Sequence, residues 1–386
     1  MGVKIATIWN TYGRYHVARV SALACEHPDI ELLSLSHCRS NLKEYPFFNL
    51  RPPGFKILVD KDESELRFWE SFVASFKALR AEKPDLVLAC GYERSETIAA
   101  VCYAWIWRKT CFLMLDNQYE DRHRNWFVET VKKIYLKCFD GFVYGGDAHR
   151  DYLRRLNVPS EKKVFGYNCV DNRTIDILAT RFRANGHRLA SKHPYFLCVT
   201  RLIEKKNLLR LIDAYSMYVA GVQRLGDEPW NLLIVGEGPM RTRIEMAVQR
   251  LRLEPYVVLV GQLDSFEDVV NYHTFANSLI LPSDHSEQWG LVVNEAMAAG
   301  RPVLVSQQCG CANTLVHDGE NGFRFDGNSP KEMTDRMLWM HQNGGRLDAM
   351  GEASRRIVAD VSPEALARNV WRLYERSVGK SKPTLL

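Results

Sequence analysis

Short β-branched apolar runs alternate with helical stretches along the second half of the chain. The runs are 195–200, 231–236, 256–261, 278–282 and 302–306, and amphipathic segments at 208–219, 240–251 and 267–275 lie between them. Strands that are apolar almost throughout are buried on both faces, so the pattern predicts a repeated βα unit and a parallel sheet. Right-handed crossovers then bring every loop that follows a strand to one edge, where such sheets bind ligands. The first half repeats the plan less cleanly, with strands expected at 3–9, 30–36, 86–90, 110–115 and 141–144. The span 172–194 contains Arg173, Arg181, Arg183, Asn185, Gly186 and His187, has no strand pattern, and reads as the connection between two domains. Near the end, Val361-Ser362-Pro363 predicts a last helix through Arg376, with Ser362 as N-cap and Pro363 in the first helical position. The polar stretch 379–383 reads as a frayed tail.

Length agrees with that division, since 386 residues suit two domains of ordinary size. An apolar fraction of 46% with 25% charge is that of a globular protein, and no run of about eighteen uncharged apolar residues could span a bilayer. The start Met1-Gly2-Val3-Lys4-Ile5-Ala6 lacks a long apolar region, and Ala6 departs from the myristoylation pattern, so a cytoplasmic location is expected. The ten cysteines sit mostly singly in apolar runs, as Cys102 and Cys198 do, and read as reduced small hydrophobes. Cys309-Gly310-Cys311 has no second Cys/His pair at zinc spacing and reads as a Gly-containing turn. The net charge of +5 is uneven: residues 1–190 carry 29 basic and 23 acidic groups. That excess suits an anionic partner such as a phospholipid surface or a lipid diphosphate, and equally suits a solvated surface.

Candidate chemistry follows the strands. Glu287-Gln288-Trp289-Gly290-Leu291-Val292-Val293-Asn294-Glu295-Ala296-Met297-Ala298-Ala299-Gly300 comes after the run ending at Pro282, and predicts a helix from about Gly290 to Gly300. Its N-terminal amides and dipole would face the ligand edge and favour a diphosphate, with Gly290 allowing close backbone approach. Glu287 and Glu295 lie at different depths and could hold different hydroxyls of one ligand. After 195–200 comes Arg201-Leu202-Ile203-Glu204-Lys205-Lys206-Asn207, whose cations could neutralise a leaving diphosphate without a metal ion. Val235-Gly236-Glu237-Gly238-Pro239 adds glycines that would make room for a base or ribose. A lone Gly-x-Gly means little, but three such pieces in this order, each after its own strand, are specific.

In these residues the sequence resembles retaining glycosyltransferase family 4, the group 1 glycosyltransferases of the GT-B fold. The resemblance covers about 195–325, including the Glu-x7-Glu pair Glu287 and Glu295 and the stretch Gly300-Arg301-Pro302-Val303. It implies an α/β fold of two doubly wound Rossmann-like domains facing a central cleft that closes over the donor. The expected division is 1–175 for the acceptor side, 176–193 for a linker, 194–362 for the nucleotide-sugar domain, and 363–386 for a helix crossing back. By the same resemblance Arg201 and Lys206 bind donor phosphates, Glu295 the ribose and Glu287 the transferred sugar, while Gly290 and Leu291 touch sugar and phosphate. Gly236 and Glu237 complete the donor set. The family often has Gly where this chain has Asn207. In the N-terminal half the family's glycine-rich first loop is reduced to Asn10-Thr11-Tyr12-Gly13-Arg14-Tyr15-His16, where Gly13 is the candidate for close approach. Asp116, after Phe112-Leu113-Met114-Leu115, takes the polar catalytic position, and His123 is its rival.

The implied activity is retaining transfer from a UDP- or GDP-sugar to a hydroxyl of a glycan or lipid-linked acceptor, in polysaccharide or glycolipid assembly, with no metal or other cofactor and no nucleic acid. A different donor site must be weighed at Ile57-Leu58-Val59-Asp60-Lys61-Asp62, an apolar run with Asp-x-Asp as in metal-dependent transferases. That fold has one domain and would leave the second series of strands unexplained, and Glu63 and Glu65 make an acidic turn the simpler reading. Other outcomes for the same fold are a nucleotide-sugar epimerase, a phosphorylase, or a non-catalytic nucleotide-sugar-binding subunit.

Overall fold

The computed structural model describes residues 2–38, 51–121, 124–190, 192–284 and 287–379. The chain forms two compact units that divide at Asp171/Asn172 and again at Asp360/Val361, so the end of the chain groups with the first unit. In the first unit the described strands are Lys4–Trp9 (β1), Glu31–Ser36 (β2), Phe55–Ile57 (β3), Leu86–Cys90 (β4), Thr110–Leu115 (β5), Gly141–Tyr144 (β6) and Lys163–Phe165 (β7). They form a parallel sheet in the order β3-β2-β1-β4-β5-β6-β7. Its helices are Arg14–Glu26 (α1), Phe68–Glu82 (α2), Ser95–Ile106 (α3), Trp126–Tyr135 (α4) and Asp147–Arg155 (α5). β4 and β5 are buried almost from end to end, as their unbroken apolar sequences require.

The second unit opens with the helix Asn172–Asn185 (α6). This corrects the reading of 172–194 as a connection. Ile175, Leu178, Ala179 and Phe182 recur at helical spacing and are buried, and the arginines between them hide that stripe in the sequence. The strands Tyr195–Val199 (β8), Asn231–Val235 (β9), Val257–Gly261 (β10), Ser278–Leu281 (β11), Val303–Ser306 (β12) and Gly322–Phe325 (β13) form a second parallel sheet, ordered β10-β9-β8-β11-β12-β13. Helices Leu208–Arg224 (α7), Arg241–Arg250 (α8), Phe266–Phe275 (α9), Leu291–Ala298 (α10), Ala312–Leu315 (α11), Pro330–Gln342 (α12) and Leu347–Ala359 (α13) connect and cover it. Phe196, Leu211, Tyr215, Ile234, Ile280 and Leu304 are among its fully buried core residues.

The last helix, Pro363–Val378 (α14), packs on α1 within the first unit. Ser362 caps it as the sequence predicts: its side chain accepts the Ala365 N–H at 3.2 Å, and Pro363 occupies the first turn. No helix among the described residues is long and apolar enough to cross a membrane.

Sheet order fixes where ligands can bind. Connections leave β8 towards β9 and β10 on one side, while β11 returns on the other, so the crevice at the carboxyl ends of β8 and β11 is the switch point of the second sheet. The first sheet has the equivalent point between β1 and β4.

Candidate functional site

Two loops meet at the β8/β11 switch point. After β8 the chain makes one 3-10 turn, Glu204–Lys206, and Asn207 then takes left-handed geometry at φ 56°. An L-residue adopts that conformation most readily as Gly, Asn or Asp, which accounts for Asn at a position where the family often has Gly. The Asn207 amide also ties the loops together, its Nδ2 donating to the carbonyls of Pro282 at 3.1 Å and Gly327 at 2.7 Å. A second tie runs from the Asp284 N–H to the Lys205 carbonyl at 3.0 Å.

Lys206 sits between these two ties. Its ammonium pairs with the Glu287 carboxylate, and each residue is only 8% exposed. Glu287 is fixed in turn by its backbone: its N–H donates to the Asp284 carbonyl at 3.2 Å and its carbonyl accepts the Gly310 N–H at 3.1 Å. Cys311 holds the next turn, donating its N–H to the Trp289 carbonyl at 3.3 Å. Cys309-Gly310-Cys311 is thus a loop whose backbone braces the Glu287 segment. Both thiols are free and buried, and burial pushes them up.

Gly290 opens α10 with φ 105°, and among the described residues no side chain caps that helix. The Val293 N–H already donates to the Gly290 carbonyl at 2.9 Å, which leaves the amides of Leu291 and Val292 at the helix start for an anion. Leu291 is half-buried at the first turn. Glu295, one turn further in, is 3% exposed, with Oε2 lying 3.6 Å from Nε2 of the fully buried His273 on α9. Both carboxylates are buried, one against a lysine and one against a histidine. Two more polar groups belong to this edge: the hydroxyls of Thr200 and Ser283, following β8 and β11, are buried and have no hydrogen-bond partner among the described residues.

Arg201 is exposed at the same edge. Gly236 and Gly238 stand where two backbones come close. A Cβ on Gly236 would overlap the Thr200 carbonyl oxygen, and one on Gly238 would stand 2.5 Å from the Leu202 carbonyl oxygen. These glycines let the loops after β8 and β9 touch, locked by Leu202 N–H to Glu237 carbonyl and Met240 N–H to Leu202 carbonyl, both 2.9 Å. The exposed Glu237 side chain pairs with Arg241 at 2.5 Å.

In the first unit, Gly13 precedes α1 at the β1/β4 switch point. Its N–H donates to His16 Nδ1 at 3.0 Å, so this amide is already engaged. Burial, with Arg19 nearby, pushes His16 down to about 3, which keeps the ring neutral and able to accept that bond. Asp116 is half-buried just after β5 and lies close enough to Cys90 and Tyr167 to add to the upward shift that burial gives them. The Tyr167 hydroxyl is shared between Trp9 Nε1 at 3.2 Å and Cys90 Sγ at 3.1 Å. His123 lies outside the described residues. Asp60 and Asp62 are exposed, Lys61 between them bridges to Glu70 at 2.7 Å, and among the described residues no three His, Cys, Asp or Glu side chains form a metal-binding group.

Residues 181–357, nearly all of the second unit, match the family model described as glycosyl transferases group 1. The likeness to group 1 glycosyltransferases is thus carried by the second unit. A glycosyltransferase of Methanocaldococcus jannaschii is 27% identical over 179 residues, 46% of this chain and 47% of that protein. A GDP-mannose-dependent phosphatidylinositol monomannoside mannosyltransferase of Mycobacterium tuberculosis is 26% identical over 175 residues, 44% of this chain and 43% of that protein. The chain therefore spans about half the length of these curated relatives. Among solved structures, Anabaena HepE with bound UDP aligns at TM-score 0.74 and 15% identity over 97% of this chain and 100% of that one. Sucrose-phosphate synthase of Thermosynechococcus elongatus aligns at TM-score 0.71 and 20% identity over 98% and 99%. At such identities the likeness is one of fold: two doubly wound α/β domains.

Proposed function

We propose that the chain is a retaining family 4 glycosyltransferase of the cytoplasm that works without a metal ion, moving a sugar from a UDP- or GDP-sugar to a hydroxyl of a glycan or lipid-linked acceptor. The observation that carries this reading is the buried Lys206–Glu287 pair at the β8/β11 switch point, beside the N-terminus of α10, which no described side chain caps. A diphosphate needs a fixed cation and amide donors, and both stand at one edge. Lys206 and Arg201 would stabilise the charge that grows on the diphosphate as the C1–O bond breaks. Once the ammonium turns to phosphate, Glu287 is released to accept hydroxyls of the sugar. The acceptor oxygen then bonds to C1 on the face the diphosphate leaves, and its proton passes to the departing phosphate oxygen. Glu295 would hold the ribose, Gly290 and Leu291 would meet sugar and phosphate, and Asp116 is the residue the resemblance assigns to positive charge at the sugar. The mannosyltransferase relative's stated GDP-mannose and the UDP held by HepE support a nucleotide-sugar donor.

Thermal shift and slow hydrolysis with UDP-, GDP- and ADP-sugars, with and without EDTA, test this. One nucleotide sugar should stabilise the protein and be hydrolysed regardless of EDTA; a response that EDTA abolishes would return attention to Asp60 and Asp62, and no response would favour a subunit without donor chemistry. Glu295→Gln, which keeps shape but loses the charge, should raise donor KM by about tenfold with a smaller change in kcat, because charge-assisted hydrogen bonds to ribose hydroxyls contribute about 1.5–3 kcal/mol. An unchanged KM would remove Glu295 from the site.

A further inference from the structure

The helix α4 is inverted for a helix on a globular surface. Its inward side is polar. Lys132 is buried, and its Nζ donates to Glu129 Oε1 at 2.8 Å and to the Tyr152 hydroxyl at 2.6 Å, while that hydroxyl donates to Glu129 Oε2 at 2.9 Å. The ring of Tyr92 lies 4.8 Å from the same ammonium, and Arg124 stacks over Tyr152 at 4.5 Å. Burial alone would raise Glu129, but the bonds from Lys132 and Tyr152 hold it below its ordinary range, so the inward pair stays ionised.

The outward side is apolar. Trp126 is 78% exposed, Phe127 61% and Ile134 63%, and Val128 and Val131 are exposed with them. Phe127, Val131 and Ile134 recur at i, i+4 and i+7, which makes one continuous stripe with Trp126 and Val128 at its flanks. On the helical wheel Lys133 borders the Trp126 side, and Lys137 follows in the 3-10 turn Leu136–Cys138. A contiguous apolar face of this kind marks a surface that something covers, unlike scattered exposed leucines.

Charge indicates what covers it. Residues 124–163 carry nine Lys and Arg against five Asp and Glu, which is most of the chain's surplus of +5. Successive right-handed crossovers put α5 on the same sheet face as α4. Beside α5 a depression of about 300 Å³ is lined by Tyr144, Arg150, Asp151, Arg154, Ser160 and Lys163. Arg150 is paired with Asp147 at 2.6 Å and Asp151 at 3.4 Å; burial, and then Arg150 and Arg154, press Lys163 below its usual range. Such crowding of cations is relieved by an anion. An aromatic-aliphatic stripe bordered by lysine, on a sheet face that also carries the cations of α5, is the chemistry of a helix lying in a lipid headgroup layer.

We propose that α4 docks the first unit on an anionic phospholipid surface, its stripe Trp126, Phe127, Val131 and Ile134 among the acyl chains and its lysines, with the cations of α5 and β7, against the phosphates. The proposal is independent of the donor chemistry, and its test does not use activity. The full chain is sedimented with vesicles of phosphatidylcholine alone and with vesicles of phosphatidylcholine and phosphatidylglycerol in equal parts. Binding to the anionic vesicles is expected, weakened by high salt, and at least about tenfold lower for Phe127→Glu/Ile134→Glu. Both positions face solvent, so the variant should keep the parent's melting temperature, which is measured alongside. Equal binding to both vesicles, binding to neither, or undiminished binding by the double variant overturns the proposal. So does a dimer in light scattering that the double variant dissociates, which would assign the face to a second copy of the chain.

Discussion

Lys206→Met is expected to abolish transfer and also to destabilise the second unit, and the two losses can be separated. The substitution takes the Lys206 ammonium away from a Glu287 carboxylate that is only 8% exposed. Breaking a buried pair from one side costs about 3–5 kcal/mol, which for a domain near two hundred residues is a fall in Tm on the order of 10 °C. The double variant Lys206→Met/Glu287→Gln removes both charges, and replacing a whole buried pair by neutral groups of similar volume is often close to neutral. Melting temperature should therefore return towards that of the parent. Turnover should not, because a methionine cannot stabilise a leaving diphosphate; the loss of one preorganised electrostatic donor is about 10²–10³ in kcat. A double variant that recovers both stability and rate would show that the pair only holds two loops together, and the proposed donor site would fall with it.

Much of the second unit is legible in its sequence, and for one reason: strands buried on both faces must be apolar without interruption. Leu232 to Val235, Leu279 to Leu281 and Val303 to Val305 are such runs, and each is a strand. The edge strands are harder to read. Phe55-Lys56-Ile57, Lys163-Val164-Phe165 and Gly322-Phe323-Arg324-Phe325 are three or four residues long, mix polar with apolar, and take their identity from the neighbour they pair with. The helix α6 was hidden by composition, since arginines between Ile175, Leu178 and Phe182 resemble a charged connection until the helical spacing is counted.

The site divides in the same way. Lys206, Glu287 and Glu295 stand out because charged residues beside apolar strands are costly unless used, and the sequence order of the three loops already implies a common edge. What the chain does with Gly236 and Gly238 is not visible, because room for a ligand and room for another backbone call for the same residue. His273 beside Glu295 and the two buried hydroxyls, Thr200 and Ser283, were equally invisible: they lie on separate elements and meet only through packing. The signal for Asn207 was present, as a residue tolerant of left-handed geometry directly after a strand-loop lysine pair. Lys132 shows the opposite limit. Reading patterns assumes that apolar faces turn inward, and α4 turns its charges inward instead.

Gly290→Ala is expected to have the second-largest effect, from a single methyl group. At φ 105° an L-side chain is strained by about 1–3 kcal/mol. The added Cβ would also stand 2.6 Å from Leu281 Cδ2 at the end of β11, and relieving an overpacked contact of that kind costs about 1–3 kcal/mol more. Neither term can be relaxed locally, since the Cys311 N–H holds the preceding carbonyl of Trp289 and the Trp289 indole donates to Asn294 Oδ1 at 2.8 Å on the next turn. The backbone therefore has to yield at the point where the first amides of α10 are presented. Donor affinity should fall by more than about tenfold, the factor that 1.4 kcal/mol represents, while Tm drops by several degrees. Leu281→Val separates the two causes. Combined with Gly290→Ala it removes the clashing methyl, so part of the stability should return, whereas the backbone strain and the displaced amides persist and donor binding stays weak. Parent-like donor binding in a folded Gly290→Ala protein would mean that the diphosphate does not sit at the N-terminus of α10.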